Sequence, residues 1–317
     1  MARVTTPADP LFRWTADVQA APPHVPSIPA TRGFKPWPGI QGHGHGMPLT
    51  HVRTGVGLHY EITGEGEPLL LVMGTSGAIG LWAEKVPRLA QRYRVIAFDN
   101  RGLGGSERGE GLITAASMAE DASALLEALA IPKAHVIGWS LGSAVAQEMA
   151  LARPQQVATA VLYATWGRCD GFQRSIFTAL RHPYATRDME AALAVAGLAF
   201  SPQILDHPDF LQLLEPMAPF FPQNEEQMAV TTEQWDADLA HDTLDRLGGI
   251  TAPTLVVVGE QDLLTPPWQS KAVADRIPGA RYELLTGPGS SHCLHVERPE
   301  DLVGVVTDFL SEHPVKD

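Results

Sequence analysis

A serine between two glycines is the residue of this sequence with the clearest capacity for nucleophilic chemistry. The G-W-S-L-G motif at 138–142 follows a short apolar run, 134–139, and precedes an alanine-rich segment with helical periodicity, 141–152. A G-x-S-x-G motif between a strand and a helix places its serine on a sharp, exposed turn. This context predicts that Ser140 is a nucleophile rather than a small residue in a tight bend.

Two further residues can activate that serine. A neutral hydroxyl is a poor nucleophile and needs a base within hydrogen-bond reach. Asp262 follows the apolar run 253–259, and His292 follows the run 280–286. An imidazole takes the serine proton and returns it to the leaving group, while a carboxylate fixes the imidazole tautomer. The order Ser…Asp…His therefore predicts a catalytic triad of Ser140, Asp262 and His292.

Other residues compete for these roles. His295 lies three residues after His292, and Asp170 follows the apolar run 157–163. Cys293 does not lie in a sharp turn between a strand and a helix like that of Ser140. It is also adjacent to His292 in sequence, and adjacent side chains do not point at each other. The pattern therefore favours a buried structural cysteine at 293.

The negative oxygen of a tetrahedral intermediate needs hydrogen-bond donors that are already in place. The amide of Leu141, at the start of the helix after Ser140, is predicted to be one of them. The amide of Thr75, which follows the apolar run 68–74, is predicted to be the second.

The elements that must position these residues alternate along the chain. Continuous apolar runs predict strands buried on both faces, and the helical segments between them predict a mainly parallel sheet covered on both sides. The carboxyl ends of parallel strands meet at one edge of a sheet, where ligands bind. The fold class is therefore α/β, with about eight strands. The runs lie at 68–74, 94–99, 134–139, 157–163, 253–259 and 280–286, after a predicted hairpin around Gly55 and Gly57.

Two regions depart from this alternation. Residues 1–48 hold nine of the 26 prolines and show no periodicity, which predicts a proline-rich N-terminal arm. Residues 167–250 have helical composition, several Pro breaks and no buried-strand run, and they are too long for a loop, so they predict a helical insertion. The α/β core then comprises 49–166 and 251–317.

Composition excludes several classes of function. The net charge of −13 argues against nucleic acid or an anionic membrane as the main partner. Two cysteines make neither a disulfide framework nor a metal cluster. No run of about 18 apolar residues is present to span a membrane, and the N-terminus lacks a signal pattern. We expect a cytoplasmic protein that acts on a small molecule without metal or cofactor, with a homo-oligomeric state left open.

The sequence resembles the α/β-hydrolase superfamily over roughly residues 50–312. Within the superfamily it is most similar to the 3-oxoadipate enol-lactonase-like branch and to neighbouring small esterases. The resemblance implies the α/β-hydrolase fold, with a mostly parallel eight-stranded sheet and a helical cap, 167–250, over the active site. The segments that carry it are LLLVMGTSGAIGLW, VIAFDNRGLGGS, VIGWSLGSAVAQEMA, APTLVVVGEQDLLTPP and SSHCLHVERP.

The resemblance also ranks the rival residues. The catalytic histidine of the superfamily stands five residues before the glutamate of an E-x-P segment, as His292 does before Glu297. Asp262 lies in a better-matched block than Asp170. His295 is then expected to face inward or to cap a turn.

The function implied is that of a cofactor-independent serine hydrolase of a carboxylic ester or lactone, acting through an acyl-enzyme. A carbon–carbon bond hydrolase of β-diketones with the same triad, a perhydrolase side activity and a slow-turnover ligand sensor are alternatives. Enol-lactonases handle small dianionic substrates, for which Arg168, Arg174 and Arg181 are candidate cations, whereas the apolar stretch LEPMAPFF favours a more hydrophobic group. The candidate substrate-binding residues are Trp139, Trp166, Met217 and Phe220.

Overall fold

One sheet organises the part of the chain that is described. A computed structural model describes residues 49–82, 85–210 and 215–315, and eight strands in them form a sheet of order β1-β2-β4-β3-β5-β6-β7-β8. The first three neighbours, β1, β2 and β4, pair antiparallel, and the others pair in parallel. The predicted α/β class is confirmed, while the predicted arm, 1–48, lies outside the described residues. The strands are β1 (Leu49–His51), β2 (Gly57–Thr63), β3 (Glu67–Val72), β4 (Tyr93–Phe98), β5 (Ala134–Trp139), β6 (Val157–Tyr163), β7 (Thr254–Gly259) and β8 (Arg281–Leu285).

Both faces of the central part of the sheet are buried, as β3 shows, because successive residues of a strand point to opposite sides. Leu70 and Val72 of β3 belong to one apolar core cluster, and Leu69 and Leu71 belong to another. All four side chains are fully buried. A strand covered on both sides requires an apolar residue at every position, which is why the sequence shows continuous apolar runs there.

Helices cover the sheet and build the predicted insertion between β6 and β7. An antiparallel bridge between Arg168 and Asp242 joins the two ends of this insertion. None of the described helices is long and apolar enough to cross a membrane. The α-helices are α1 (Val86–Leu89), α2 (Ala115–Ala128), α3 (Leu141–Ala152), α4 (Gly171–Thr186), α5 (Met189–Ala196), α6 (Pro202–Leu205), α7 (Glu225–Ala240), α8 (Pro267–Ala274), α9 (Leu294–Glu297) and α10 (Pro299–Glu312).

Helix α2 packs against α3, the helix that begins directly after Ser140. A reciprocal capping box closes the N-terminus of α2. The hydroxyl oxygen of Thr114 accepts from the amide of Ser117 (3.0 Å), and the hydroxyl oxygen of Ser117 accepts from the amide of Thr114 (3.0 Å). Two amides that the helix itself leaves unsatisfied are thereby paired.

We expect Thr114→Ala to lower the free energy of unfolding by about 1 kcal/mol, because the amide of Ser117 loses its acceptor. Urea unfolding followed by circular dichroism measures this change. Thr114→Ser is the matched control, since it keeps the hydroxyl and should lose far less. Equal destabilisation by the two substitutions would show that the methyl group, and not the cap, is what stabilises the helix.

Candidate active site

Ser140 lies on a strained turn between β5 and α3. Its backbone has φ 54° and ψ −122°, a combination that costs a residue with a side chain about 1–3 kcal/mol. The amide of Ser140 donates to the carbonyl of Tyr163 in the neighbouring strand (3.0 Å), and its carbonyl accepts from the amide of Ser143 (2.7 Å). These bonds hold the turn at the carboxyl edge of the sheet.

The two glycines of the motif permit this turn because the backbone passes too close for a Cβ atom. A Cβ on Gly138 would lie 2.1 Å from the carbonyl oxygen of Gly142, and a Cβ on Gly142 would lie 2.2 Å from that of Val72 in β3. Both obstacles are backbone atoms, which cannot rotate away. The motif therefore encodes the close approach of α3 to β5 and β3.

A buried polar network lies beneath the turn. The Oγ of Ser143 donates to the carbonyl of Ser140 (2.6 Å) and lies 2.8 Å from Oγ1 of Thr165. The side-chain amide of Gln147 donates to the same Thr165 oxygen (2.7 Å). Ser143, Gln147 and Thr165 are fully buried. Polar residues in a helical pattern usually mark a solvated face, so the sequence carries no signal for these partners of Ser140.

His292 is held by Asp262. Its Nδ1 lies 2.9 and 3.0 Å from the two carboxylate oxygens, and both side chains are buried. Asp262 also accepts from the amides of Leu264 and Thr265, each at 2.9 Å, so the carboxylate is itself fixed. Because Nδ1 carries the proton that faces the carboxylate, Nε2 carries the free lone pair. The imidazole is therefore arranged to accept a proton at Nε2.

Each rival residue has surroundings that do not suit the role for which it competes. His295 is enclosed by the rings of Trp82 and Trp139, with centroids 5.3 and 4.3 Å away, and burial lowers its pKa. Asp170 caps α4 by accepting from an amide of the first turn (2.8 Å). Burial raises the pKa of the Cys293 thiol, which keeps it protonated and a poor nucleophile.

Ser140 and His292 border one cavity of about 60 Å³, lined mostly by apolar side chains. Trp139 and Met217, predicted to bind substrate, both line it. Most of the other residues that line the cavity belong to the insertion. They could not be predicted from the sequence, because apolar helix faces also form the core of the insertion itself. They are Leu180, Tyr184, Ala196, Ala199, Phe200, Phe221 and Trp235.

Trp166 and Phe220 do not line this cavity, contrary to prediction. Trp166 is fully buried and packs edge-on against Phe177 of α4, with ring centroids 5.3 Å apart. The ring of Phe220 covers Gly80, where a Cβ would come within 2.0 Å of it. The next residue, Phe221, lines the cavity instead. Neighbouring residues of a tight helical turn point to different sides, and composition alone does not reveal which side faces a cavity.

The two amides predicted to bind an oxyanion lie close to Ser140. Thr75 lines the cavity, and the preceding Gly74 approaches the turn so closely that a Cβ there would lie 3.2 Å from Ser140 Cβ. Leu141 is the first residue of α3, and first-turn amides have no partner inside their helix. Neither amide donates to any residue that the structure describes. Free donors beside a nucleophile suit the stabilisation of negative charge.

Charged side chains avoid the cavity. No Lys, Arg, Asp or Glu is among the described residues that line it. Arg168 pairs with Asp242 (2.8 Å) and Arg181 with Asp236 (2.7 Å), while Arg174 is exposed. None of the three candidate arginines therefore supplies a cation to the cavity. Within the described ranges, no cluster of His, Cys, Asp or Glu could hold a metal ion.

The chain belongs to the α/β-hydrolase fold family, whose sequence profile matches residues 67–299. It is 33% identical over 227 residues to RutD of Azorhizobium caulinodans, by name a candidate carbamate hydrolase, covering 71% of this chain and 84% of that protein. It is 35% identical over 265 residues to BpoC of Mycobacterium tuberculosis, by name a candidate non-heme bromoperoxidase, covering 81% and 98%. The crystal structure of the enol-lactonase from Burkholderia xenovorans LB400 matches with a TM-score of 0.74 at 28% identity, covering 83% of this chain and 100% of that one. The predicted family is confirmed.

We expect Gly142→Ala to lower the free energy of unfolding by about 1–3 kcal/mol, because its Cβ would displace α3 from the carbonyl of Val72. Chemical unfolding measures the loss. Gly171→Ala at the start of α4 is the control, since a Cβ there meets nothing within 4 Å. Similar stabilities for the two variants would mean that the turn tolerates a side chain and that the close approach is not a constraint.

Proposed function

We propose that this family member is a cofactor-independent serine hydrolase that cleaves uncharged carboxylic esters or lactones through an acyl-enzyme. The supporting observation is one cavity bordered by both Ser140 and His292, with the imidazole held through Nδ1 by Asp262. The proposal assigns Ser140 as nucleophile, His292 as general base and acid, and Asp262 as the residue that orients the imidazole.

In the first half-reaction, Nε2 of His292 accepts the proton of Ser140 as Oγ attacks the carbonyl carbon. The carbonyl oxygen becomes an oxyanion that accepts hydrogen bonds from the amides of Thr75 and Leu141. Loss of one such donor typically costs about 3 kcal/mol of transition-state stabilisation. The imidazolium then protonates the departing alkoxide, which leaves Ser140 acylated.

In the second half-reaction, water enters the place of the alcohol. His292 removes a proton from this water, which attacks the acyl carbon, and the acid product leaves when Ser140 regains its proton. Asp262 stabilises the imidazolium in both halves while remaining ionised.

The cavity favours a small, uncharged acyl or alcohol group. A carboxylate buried there would find no cation among the described lining residues, and burying an unpaired charge is strongly unfavourable. The cavity volume of about 60 Å³ suits a small group on the side of the substrate that is buried there. The names of two relatives, an enol-lactonase and a candidate carbamate hydrolase, agree with acyl transfer as the reaction class.

We expect Ser140→Ala to lower kcat for a p-nitrophenyl ester by at least about 10³-fold, because it removes the hydroxyl that the proposal assigns as nucleophile. Initial rates and labelling by a fluorophosphonate measure the effect. Ser175→Ala on the exposed face of α4 is the control and should keep wild-type rates. Residual labelling of the Ser140→Ala protein would move the nucleophile to another residue.

We expect kcat/KM for uncharged esters and lactones to exceed that for a dianionic enol-lactone by about 100-fold or more, because the cavity offers no counter-charge. A panel of p-nitrophenyl esters, simple lactones, a carbamate, β-diketones and a dicarboxylic enol-lactone tests this preference. Preference for the dianion would contradict the uncharged class. Cleavage of β-diketones alone would favour the carbon–carbon hydrolase. A ligand that raises the melting temperature of a protein inert to fluorophosphonate would favour the sensor.

A further inference from the structure

Helix α7 of the insertion presents a polar face to the interior. Thr231, Gln234, Trp235 and Asp238 follow the i, i+3, i+4, i+7 spacing of one helix face, and all four are buried. One polar atom of each has no partner among the described residues: Oγ1 of Thr231, Nε2 of Gln234, Nε1 of Trp235 and Oδ1 of Asp238. A buried polar group without a partner costs about 1–3 kcal/mol, so packing alone does not explain this face.

The remaining polar atoms of this face reach the loop after β3. Oδ2 of Asp238 accepts from Oγ1 of Thr75 (2.6 Å). Oε1 of Gln234 accepts from the amide of Ser76 (2.8 Å). Tyr184 of α4 adds a hydrogen bond to the side chain of Ser76. Side chains of α7 and α4 thus form hydrogen bonds to both residues of the Thr75–Ser76 loop.

The Thr75–Ser76 loop is conformationally strained. Ser76 has φ 64°, a left-handed conformation that disfavours residues with a Cβ. Because Gln234 takes the amide of Ser76, the amide of Thr75 is the donor of this loop that stays free for the cavity. Contacts from the insertion therefore determine which amide is available and where it lies.

We propose that Asp238 is a positioning residue, which, with Gln234, holds the Thr75 amide in place to bind the oxyanion. This inference rests on the proposed function, since it assigns Asp238 a part in the same hydrolysis. Asp238 does not line the cavity among the described residues, so it acts on the reaction only through Thr75.

Among the described residues, no charged side chain pairs with Asp238 to stabilise its ionised form. Burial raises its pKa to about 8, although the hydrogen bond from Thr75 acts in the opposite direction. Three buried titratable side chains around α7 are neutral near pH 8: burial raises the pKa of Cys169 to about 11, raises that of Tyr184 and lowers that of His241 to about 4. Asp170 and Arg174, at the start of α4, act on Cys169. Other charged groups near α7 pair with one another: Arg181 with Asp236, Arg108 with Glu233, Arg168 with Asp242 and Asp245, and Arg246 with Glu148.

Two pH dependences follow. The ordinary pKa of an aspartate is 3.8, so between about pH 4 and pH 8 the folded chain holds a proton that the unfolded chain has lost. The contribution of Asp238 to folding stability therefore falls as pH rises through this window and levels off above it. Above pH 8, ionised Asp238 places a negative charge beside the loop that must bind an oxyanion, so kcat should fall as well.

The experiment compares Asp238→Asn, Asp238→Ala and Asp236→Asn with the full-length wild-type chain. Steady-state rates on a p-nitrophenyl ester are measured from pH 6 to 9.5 with the spontaneous rate subtracted, and melting temperatures are measured from pH 4 to 9. Asp238→Asn keeps an acceptor for Thr75 but cannot ionise. Asp236→Asn lies two residues away on the exposed side of the helix and should follow the wild-type profiles.

In the wild type we expect kcat to fall above about pH 8, and this fall should disappear in Asp238→Asn. The melting temperature of the wild type relative to that of Asp238→Asn should fall from pH 4 to 8, because the other titrating groups are common to both proteins. Asp238→Ala should lower kcat about 10- to 100-fold with little change in KM, because a misplaced donor weakens the transition state more than the bound substrate.

Two results would overturn the assignment. An alkaline fall in kcat that persists in Asp238→Asn would remove Asp238 from oxyanion positioning while leaving the hydrolase proposal intact. A wild-type protein that cleaves no ester or lactone would overturn the proposed function and this inference together. Asp238→Asn keeps the first test decisive even if Asp238→Ala fails to fold.

Discussion

The structure depends on one close crossing of backbone, where α3 leaves β5 and passes over the end of β3. A glycine Cα hydrogen is all that fits between Gly142 and the carbonyl of Val72, and the crossing leaves Ser140 in an unfavourable conformation. The strain is sustained because the rest of the sheet over-determines the turn. The same crossing brings the first amides of α3 and the loop after β3 close to one hydroxyl. Ser140 and the neighbouring free amides are therefore arranged by a single steric constraint.

Buried polar groups then hold this arrangement from two directions. Ser143, Gln147 and Thr165 support the turn from within the core, while Asp238 and Gln234 support the neighbouring loop from the insertion. Such groups stabilise the fold less than apolar residues of equal size would. They add specificity of position instead, which catalysis by fixed donors requires. The insertion thus hydrogen-bonds the loop beside Ser140 and also forms a wall of the cavity.

Much of the fold and the central residues of the candidate site could be predicted, because both leave local patterns. A strand buried on two faces needs apolar residues throughout, so β3, β5, β6 and β7 are visible as continuous runs. The G-x-S-x-G spacing reflects a constraint within five consecutive residues. Asp262 and His292 follow strands whose carboxyl ends must share an edge, so topology alone brings them near Ser140.

The residues that form the walls of the cavity could not be predicted in this way, because they depend on how the insertion packs. Composition could not show that Phe221 rather than Phe220 lines the cavity, that Trp166 packs in the core, or that the candidate arginines pair with surface aspartates. In the sequence pattern, Asp238 looks like any solvated helix residue. Its role becomes visible only from its hydrogen bond to Thr75, 163 residues earlier in the chain. The sequence by itself thus determined the sheet, the turn and the three chemical groups, since each follows from short-range spacing. Only the tertiary structure decided the walls of the cavity and the hydrogen bonds from α7 to the Thr75–Ser76 loop, because both arise from contacts between segments far apart in sequence.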